Sequence, residues 1–297
     1  MTTLKQFRYF AALAETRHFG AAADRCSVTQ PALSVQIKAL ERELGFPLVE
    51  RRASGAVLTV EGEEVARRAR AILAANRDLT DYALHRTKLA TGPLRLGAIP
   101  SIAPYLMPGV LQATAARYPA LDLSLRESIT ENLVDALVAG DLDVIVVALP
   151  INHPDIETVA LFTDIFLLAE PVSRPMRERP PTFADIAGDR LLLLEEGHCL
   201  REQALSLCST DGDGGGVGFG ASSLATILQM VAGGYGVTLL PEMAKGREMR
   251  GGLAVRLTRF AAPEPGRGIG LAWRARSPRR EDFLALADLF PHHAVED

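Results

Sequence analysis

Two cysteines nine positions apart, Cys199 and Cys208, are the residues of this sequence with the most distinctive chemistry. They bracket the segment CLREQALSLC, whose spacing of apolar residues predicts an amphipathic helix. In an unbroken helix, a rise of about 1.5 Å per residue separates the two Cα atoms by ~13 Å. Because a disulfide requires Cα atoms within about 7 Å, the thiols could bond only after this segment unwinds. The pair is therefore a candidate redox switch.

The surroundings of the first cysteine point in two directions. The predicted helix N-terminus, His198 and Arg201 favour a thiolate at Cys199, whereas the two preceding glutamates oppose it. A buried free cysteine ordinarily behaves as a small hydrophobic residue, so a core role for Cys208 stays open. A metal site of His198 with both cysteines lacks the paired C-x-x-C spacing that is typical of zinc sites. We therefore predict no metal and no cofactor.

Composition and charge bound the class of protein. A chain of 297 residues suits two domains, and its 48% hydrophobic content is typical of a globular protein. We find no signal-peptide pattern and no stretch near the ~20 apolar residues of a membrane helix, which predicts a cytoplasmic protein without a membrane partner. In that compartment a cysteine pair is more often redox-active than structural. The first 90 residues carry a net positive charge and the remainder a net negative one, which favours nucleic-acid contact at the N-terminal end.

The first 59 residues carry the pattern of a DNA-binding domain. Apolar spacing predicts helices over 4–16, 20–26 and 30–44. Thr29 is a natural N-cap for the third helix, and Gly45 is a natural C-cap. A short helix, a three-residue turn and a second helix form a helix-turn-helix, whose second helix can enter the DNA major groove.

The polar face of the third helix and a wing after it supply the predicted DNA contacts. Residues 48–59 predict a two-stranded wing that turns at Ser54-Gly55. A plain helical bundle with a solvated polar face is the alternative, but the order of the elements favours double-stranded DNA. We interpret Cys26, in the second helix, as core packing. The predicted DNA-binding residues are Thr29, Gln30, Pro31, Ser34, Gln36, Lys38, Arg51 and Arg52.

The N-terminal segment resembles a known family. The run AAADRCSVTQPALSVQIKALERELGFPLVERR, followed by LTVEG, is similar to the winged helix-turn-helix of LysR-type transcriptional regulators. Family members continue with a long linker helix, and here Thr59 caps a helical pattern over 60–88 with an apolar side, within a linker of residues 60–90. The resemblance implies a homodimer formed through that helix, a homotetramer built as a dimer of dimers, promoter DNA as ligand and RNA polymerase as partner.

The C-terminal body, residues 91–297, predicts an α/β sensor domain. Strands alternate with helices, which predicts a mainly parallel sheet with ligands at the carboxyl ends of its strands. Ser101 and Thr130 occupy two such loops and could converge on one small polar ligand, although each alone is more typical of a helix cap. The LysR-type resemblance implies a periplasmic-binding-protein-like architecture with a cleft between two subdomains. These are subdomain I (91–163 and 269–297) and subdomain II (164–268).

The cysteine segment narrows the resemblance. GHCLREQALSLC, with FGASSLATILQMVAGGYGVTLLP at 219–241, is similar to the OxyR-type hydrogen-peroxide sensors of the LysR family. This resemblance implies that Cys199 reacts with peroxide and Cys208 resolves the product. Some members carry a second histidine where Gly218 stands here. The residues implied to hold peroxide or support the thiolate are Ser101, where the family usually has threonine, and Thr130, His198 and Arg267.

The sequence thus predicts an activator of oxidative-stress genes that senses hydrogen peroxide through a reversible Cys199–Cys208 disulfide. A thiol reductant system of glutaredoxin or thioredoxin type would reset it, and the stoichiometric use of peroxide predicts that it is not an enzyme. Two alternatives stay open. One is a LysR-type regulator that binds a small metabolite in the cleft between the subdomains. The other is a thiol peroxidase, which would not need residues 1–59.

Overall fold

The computed structural model describes residues 1–52, 55–85, 89–197, 199–208 and 220–291, with only the backbone of 51, 84, 85 and 206–208. The chain divides into two compact units, residues 1–87 with 138–141 and residues 88–137 with 142–297. Within the described ranges, no helix is both long and apolar enough to cross a membrane.

The first unit is a three-helix bundle with a two-stranded wing and a long helix. Apolar residues of the three helices and the wing form one buried cluster, in which Phe10, Leu33 and Leu58 meet. Cys26 packs against the same cluster, which confirms its interpretation as a packing residue, and burial raises the pKa of its thiol. The elements are α1 (Leu4–Thr16), α2 (Phe19–Arg25), α3 (Gln30–Leu44), β1 (Val49–Arg52), β2 (Gly55–Leu58) and α4 (Val60–His85).

Local hydrogen bonds set the ends of the helix-turn-helix. Thr29 Oγ1 accepts from the Ala32 amide at 3.4 Å, and Gly45 ends α3 with φ of 85°, so both predicted caps are confirmed. His18 Nδ1 accepts from two backbone amides in the first turn of α2. This cap starts α2 at Phe19, one residue before the predicted helix. The predicted turn residue Ser54 and the predicted end of the linker helix at 86–88 lie outside the described residues.

The long helix α4 begins against the wing through a close backbone approach at Gly62. Thr59 Oγ1 accepts from the Gly62 amide at 2.9 Å, which confirms the predicted cap. A Cβ added at Gly62 would lie 2.1 Å from the carbonyl oxygen of Leu48, at the start of the wing. Only glycine therefore allows the first turn of α4 to sit at this distance from Leu48.

We expect Gly62→Ala to lower the free energy of unfolding of the first unit by about 1–3 kcal/mol, because a backbone carbonyl cannot move aside as a side chain can. Urea unfolding followed by circular dichroism measures this effect. The matched control is Glu61→Ala, an exposed change in the same turn, which should stay within about 0.5 kcal/mol of the native protein. A Gly62→Ala protein as stable as this control would contradict the close approach.

The second unit is built on a seven-stranded mixed sheet. The strands of the second unit, inside and outside this sheet, are β3 (Gly92–Ala98), β4 (Leu121–Glu127), β5 (Val144–Leu149), β6 (Ile156–Pro171), β7 (Leu193–Leu194), β8 (Gly220–Ala221), β9 (Thr238–Pro241), β10 (Val255–Arg259) and β11 (Gly266–Arg274). Its helices are α5 (Ala103–Arg117), α6 (Thr130–Val138), α7 (Cys199–Cys208), α8 (Leu224–Ala232), α9 (Lys245–Glu248) and α10 (Arg280–Ala287). The strand order is β10-β6-β11-β5-β3-β4, with β9 also paired to β6, while β7 and β8 form a separate pair.

The prediction of a mainly parallel sheet is wrong. Within the described seven-stranded sheet, only β3 forms parallel pairs, with β4 and β5. Strand β11 runs antiparallel to β5 and β6, and β6 runs antiparallel to β9 and β10. The cause is that β6 and β11 are long strands that return through the sheet instead of closing another β-α-β unit. The predicted return of 269–273 to the first half is confirmed by the pairing of Trp273 with Val144.

Two separate apolar cores confirm the two-subdomain architecture. The first core contains Val146 and Trp273 and lies around β3, β5 and β11. The second core contains Leu228 and Leu240 and lies around the later part of β6, α8 and β9. Strand β6 passes from the first core, where Phe162 packs, to the second. Strand β6 therefore connects the two subdomains.

Candidate functional site

Two hydroxyl side chains follow neighbouring parallel strands. Strands β3 and β4 end at the paired residues Ala98 and Glu127, and Ser101 and Thr130 each come three residues later. Both hydroxyls therefore lie at the carboxyl edge of the sheet, where α/β folds bind ligands. The Thr130 Oγ1 atom is buried and has no hydrogen-bond partner within the described part of the chain. Ser101 Oγ bonds to Arg267, so neither hydroxyl is a simple helix cap.

Arg267 on β11 connects the Ser101 loop to strand β6. Its Nη1 donates to Ser101 Oγ at 2.8 Å, and its Nη2 donates to the Ser101 carbonyl at 3.0 Å. Its Nε donates to Asp164 Oδ2 at 3.1 Å. The guanidinium also lies 5.9 Å from the ring centre of Phe166, within the range of a cation–π contact. Arg267 is only 3% exposed, so it is a buried cation fixed on three sides.

Asp164 is the member of this site that the sequence analysis missed. It is 0% exposed, and its second oxygen, Oδ1, accepts from the Met243 amide at 3.2 Å. Burial raises the pKa of the Asp164 carboxyl, and the Arg267 guanidinium opposes that rise. The available signal was an acidic residue inside the apolar strand TVALFTDIFLLAE, since an unpaired carboxylate is rarely buried.

Helix α7 carries Cys199 at its first residue and spans the boundary between the two cores. The half-buried Cys199 packs against the first core. Leu200 and Ala204, 4% and 1% exposed, belong to the second core. The helix continues to Cys208, so the predicted helical separation of the cysteines holds for the backbone. The Cys208 side chain and His198 lie outside the described residues.

The loop before α7 passes beside the Thr130 loop. Gly197 has φ of 87°, and a Cβ added there would lie 3.1 Å from Cδ1 of Ile129, the residue before Thr130. Arg201 Nη1 donates to the Leu194 carbonyl at 3.1 Å, which fastens α7 to the end of β7. The loop that leads to Cys199 therefore lies against the loop that leads to Thr130.

A small cavity extends the same site into the cleft between the subdomains. It measures about 180 Å³, and Ser101, Tyr105, Ser223 and Arg247 are among its lining residues. The Tyr105 hydroxyl donates to Glu248 at 2.8 Å, and burial raises the pKa of Tyr105. Ligand pockets commonly measure about 300–1,000 Å³, so this cavity suits a very small ligand better than a metabolite.

The residues that the structure describes contain no cluster of three histidine, cysteine or acidic side chains that could hold a metal ion. The metal trio considered from the sequence includes His198 and Cys208, and Gly218 stands at the second-histidine position. His198, Gly218 and the side chain of Cys208 lie outside the described part of the chain.

The predicted DNA contacts lie largely on the exposed surface of the first unit. Gln30, Ser34 and Lys38 follow one another at four-residue spacing and therefore line one side of α3. Gln36 lies toward another side of the helix, since each residue turns the helix by about 100°. In the wing, the Arg52 side chain is 60% exposed and bonds to Glu50 at 3.1 Å. Among the remaining predicted contacts, Thr29 and Pro31 are exposed, and the Arg51 side chain lies outside the described residues.

A winged helix-turn-helix, a long helix and a two-core α/β unit together define a DNA-binding transcriptional regulator with a sensor domain. Two family profiles match the chain. One profile describes the bacterial regulatory helix-turn-helix protein of the lysR family and matches residues 4–63. The other describes the LysR substrate binding domain and matches residues 87–294. The chain belongs to the LysR family of transcriptional regulators.

Several relatives within that family carry names that refer to hydrogen peroxide or OxyR. The chain is 42% identical to a probable hydrogen peroxide-inducible genes activator of Streptomyces viridosporus, over 96% of this chain and 92% of the relative. It is 39% identical to the DNA-binding transcriptional dual regulator OxyR of Escherichia coli, over 96% of this chain and 93% of the relative. A solved full-length OxyR from Pseudomonas aeruginosa, with one cysteine replaced by aspartate, superposes with a TM-score of 0.81 at 36% identity, covering 97% and 94%.

Proposed function

We propose that this protein activates transcription in response to hydrogen peroxide, which it senses through a reversible Cys199–Cys208 disulfide. The observation that carries the proposal is the half-buried Cys199 at the start of α7, which follows a loop beside Thr130. Among the described residues, the Thr130 hydroxyl has no hydrogen-bond partner. The names of the relatives, hydrogen peroxide-inducible genes activator and OxyR, support the same ligand.

The first chemical step oxidises Cys199. Its thiolate sulfur attacks one oxygen of the peroxide, the O–O bond breaks, and the other oxygen leaves as hydroxide and becomes water on protonation. Cys199 is left as a sulfenic acid. Arg267 and the hydroxyls of Ser101 and Thr130 supply hydrogen bonds to the peroxide, and His198 supports the thiolate.

The second step forms the disulfide. The Cys208 thiolate attacks the Cys199 sulfur, the S–S bond forms and the S–O bond breaks. The sulfenic oxygen leaves as hydroxide and becomes water on protonation. Two cysteines have then given up two electrons, and one peroxide has become two waters. Because an unbroken α7 holds the two Cα atoms ~13 Å apart, the helix must unwind. Unwinding withdraws Leu200 and Ala204 from the second core, which is an order–disorder switch.

The switch acts on an assembled regulator on DNA. Ile72, Leu79 and Tyr82 of α4 are exposed apolar side chains, which supports dimerisation through this helix and a homotetramer made of two dimers. Helix α3 enters the major groove of promoter DNA, and the change in the sensor domain shifts the spacing of the contacted half-sites so that RNA polymerase is recruited. A cytoplasmic dithiol system of glutaredoxin or thioredoxin type reduces the disulfide. In this proposal each oxidation changes the state of the protein on DNA, so the protein acts as a regulator and not as an enzyme.

Footprinting of the full chain on promoter fragments that it selects from genomic DNA tests this function. We expect the protected region to change after a stoichiometric peroxide pulse and to return after dithiol reduction. A protected region that does not change with peroxide but changes with a cell metabolite would contradict the proposal and favour the metabolite-binding regulator. Continuous peroxide turnover with a reductant, without any change on DNA, would favour the thiol peroxidase.

We expect Arg52→Ala to weaken DNA binding by a similar factor on all sequences, because a wing arginine contacts phosphate and reads no base. The slope of log affinity against log salt concentration should fall by about 0.9, the value for one lost phosphate contact. The matched control is Arg67→Ala, since Arg67 lies on α4 and is bound by Glu64 at 2.7 Å. Equal slopes for the native protein and Arg52→Ala would show that Arg52 does not contact a DNA phosphate.

A further inference from the structure

The buried ion pair of Asp164 and Arg267 lies where the chain passes between the two cores. The two residues are direct partners in the pairing of β6 with β11. On β6, Phe162 packs against the first core and Phe166 lies in the second, with Asp164 between them. On β11, Ile269 belongs to the first core. The pair therefore lies between the two cores along β6, and its arginine bonds to the Ser101 loop.

The bonds of this pair fix the orientation of the guanidinium group. Asp164 holds Nε, and Ser101 holds one N–H on each of the two terminal nitrogens. Because guanidinium is planar and its five N–H groups are rigidly arranged, these three bonds also determine where the two remaining N–H groups point. Asp164 is itself fixed by the Met243 amide, so the guanidinium plane is anchored to the backbone.

Stability alone does not explain a charge pair in this position. Replacing a buried ion pair with packed apolar residues is often neutral or stabilising, and the surrounding strands are apolar. A second buried pair, Arg279 with Asp282, bonds to the backbone of Ala90 and Pro93, so its role in holding the chain is evident. The Asp164 pair instead presents an arginine to a serine hydroxyl at the ligand edge of the sheet.

We propose that Asp164 is a positioning residue for the reaction of Cys199 with peroxide. It holds Arg267 so that the two remaining guanidinium N–H groups and the Ser101 hydroxyl are aligned with the peroxide oxygen that leaves. Asp164 acts through Arg267 and does not touch peroxide. This inference rests on the proposed function, because it assigns a role within the same oxidation step.

The test compares two reactions of the same thiol in Asp164→Asn. We expect the rate constant for Cys199 oxidation by peroxide, measured by quenched mass spectrometry on the full chain, to fall about tenfold or more, as misplacement of a reacting group predicts. Alkylation of Cys199 by iodoacetamide, which needs no aligned leaving oxygen, should keep its native rate. The matched control is Asp282→Asn, which breaks the second buried pair and should leave both rates unchanged.

A double-mutant cycle separates positioning from an independent effect. If Asp164 acts through Arg267, the double variant Asp164→Asn with Arg267→Gln should oxidise no more slowly than Arg267→Gln alone. If the two substitutions slow Cys199 oxidation by factors that multiply in the double variant, the inference is overturned. Should Asp164→Asn fail to fold, Asp164→Glu keeps the charge but displaces the carboxylate, and its ratio of peroxide to alkylation rates should fall at least about threefold. An unchanged ratio would overturn the inference as well.

Different results would contradict the proposed function and the role of Asp164. A native protein whose Cys199 does not react with peroxide would remove the proposed function. A native protein that reacts, together with an Asp164→Asn protein that reacts equally fast, would remove only the role of Asp164.

Discussion

Cys199→Ser is expected to abolish the response to peroxide. A serine hydroxyl has no sulfur and can form neither a sulfenic acid nor a disulfide, so the cross-link to Cys208 cannot form. The substitution removes one sulfur from the start of α7 and leaves Leu200 and Ala204 in the second core. The protein should therefore keep its reduced fold and its reduced footprint on DNA before and after a peroxide pulse.

The matched control for this variant is Cys26→Ser. Cys26 packs against the core of the first unit, and burial raises the pKa of its thiol, so it should take no part in the response. We expect Cys26→Ser to switch its footprint as the native protein does. A Cys199→Ser protein that still switches with peroxide would contradict the mechanism, whatever the behaviour of Cys26→Ser.

Leu200→Ala is expected to make the disulfide harder to reduce. Leu200 is buried in the second core while α7 is helical, and unwinding of α7 removes it from that core. Truncation of a buried leucine costs about 2–5 kcal/mol, and here only the reduced form bears that cost. Destabilising the reduced form moves the reduction potential to more negative values, by about 40–110 mV for a two-electron couple. Equilibration with glutathione or dithiothreitol buffers measures the shift.

The control is a leucine in the same core that lies on another helix. Leu228 on α8 is fully buried in the second core, and we expect it to remain packed in both redox forms. Leu228→Ala should therefore lower the stability of both forms and leave the reduction potential near the native value. If Leu200→Ala and Leu228→Ala shift the potential equally, the withdrawal of α7 from the second core is not part of the switch.

The sequence predicted the parts of this fold that depend on neighbouring residues. Thr29, Gly45 and Thr59 were read correctly as helix caps because a cap is decided within about four residues. The helix between the cysteines was predicted from its apolar spacing for the same reason. The winged helix-turn-helix followed from the order of such local elements.

The sequence did not predict features that depend on distant pairing. Asp164 and Arg267 lie 103 positions apart, and only the register of β6 against β11 brings them together. The direction of these two strands also could not be seen, because the β-α-β pattern at the start of the sensor domain does not continue through them. Ser101 was identified as a loop hydroxyl, but its arginine partner, 166 positions away, came from resemblance alone.

The most direct test of the reversible Cys199–Cys208 disulfide is peptide mass spectrometry of the reduced full chain after a brief, stoichiometric peroxide pulse. We expect a cross-linked peptide that joins Cys199 to Cys208 and has lost about two daltons, the mass of the two thiol hydrogens. Dithiol reduction should restore the two separate peptides. Peptides that retain both thiols, under conditions that oxidise a known peroxide-sensing protein, would contradict the account.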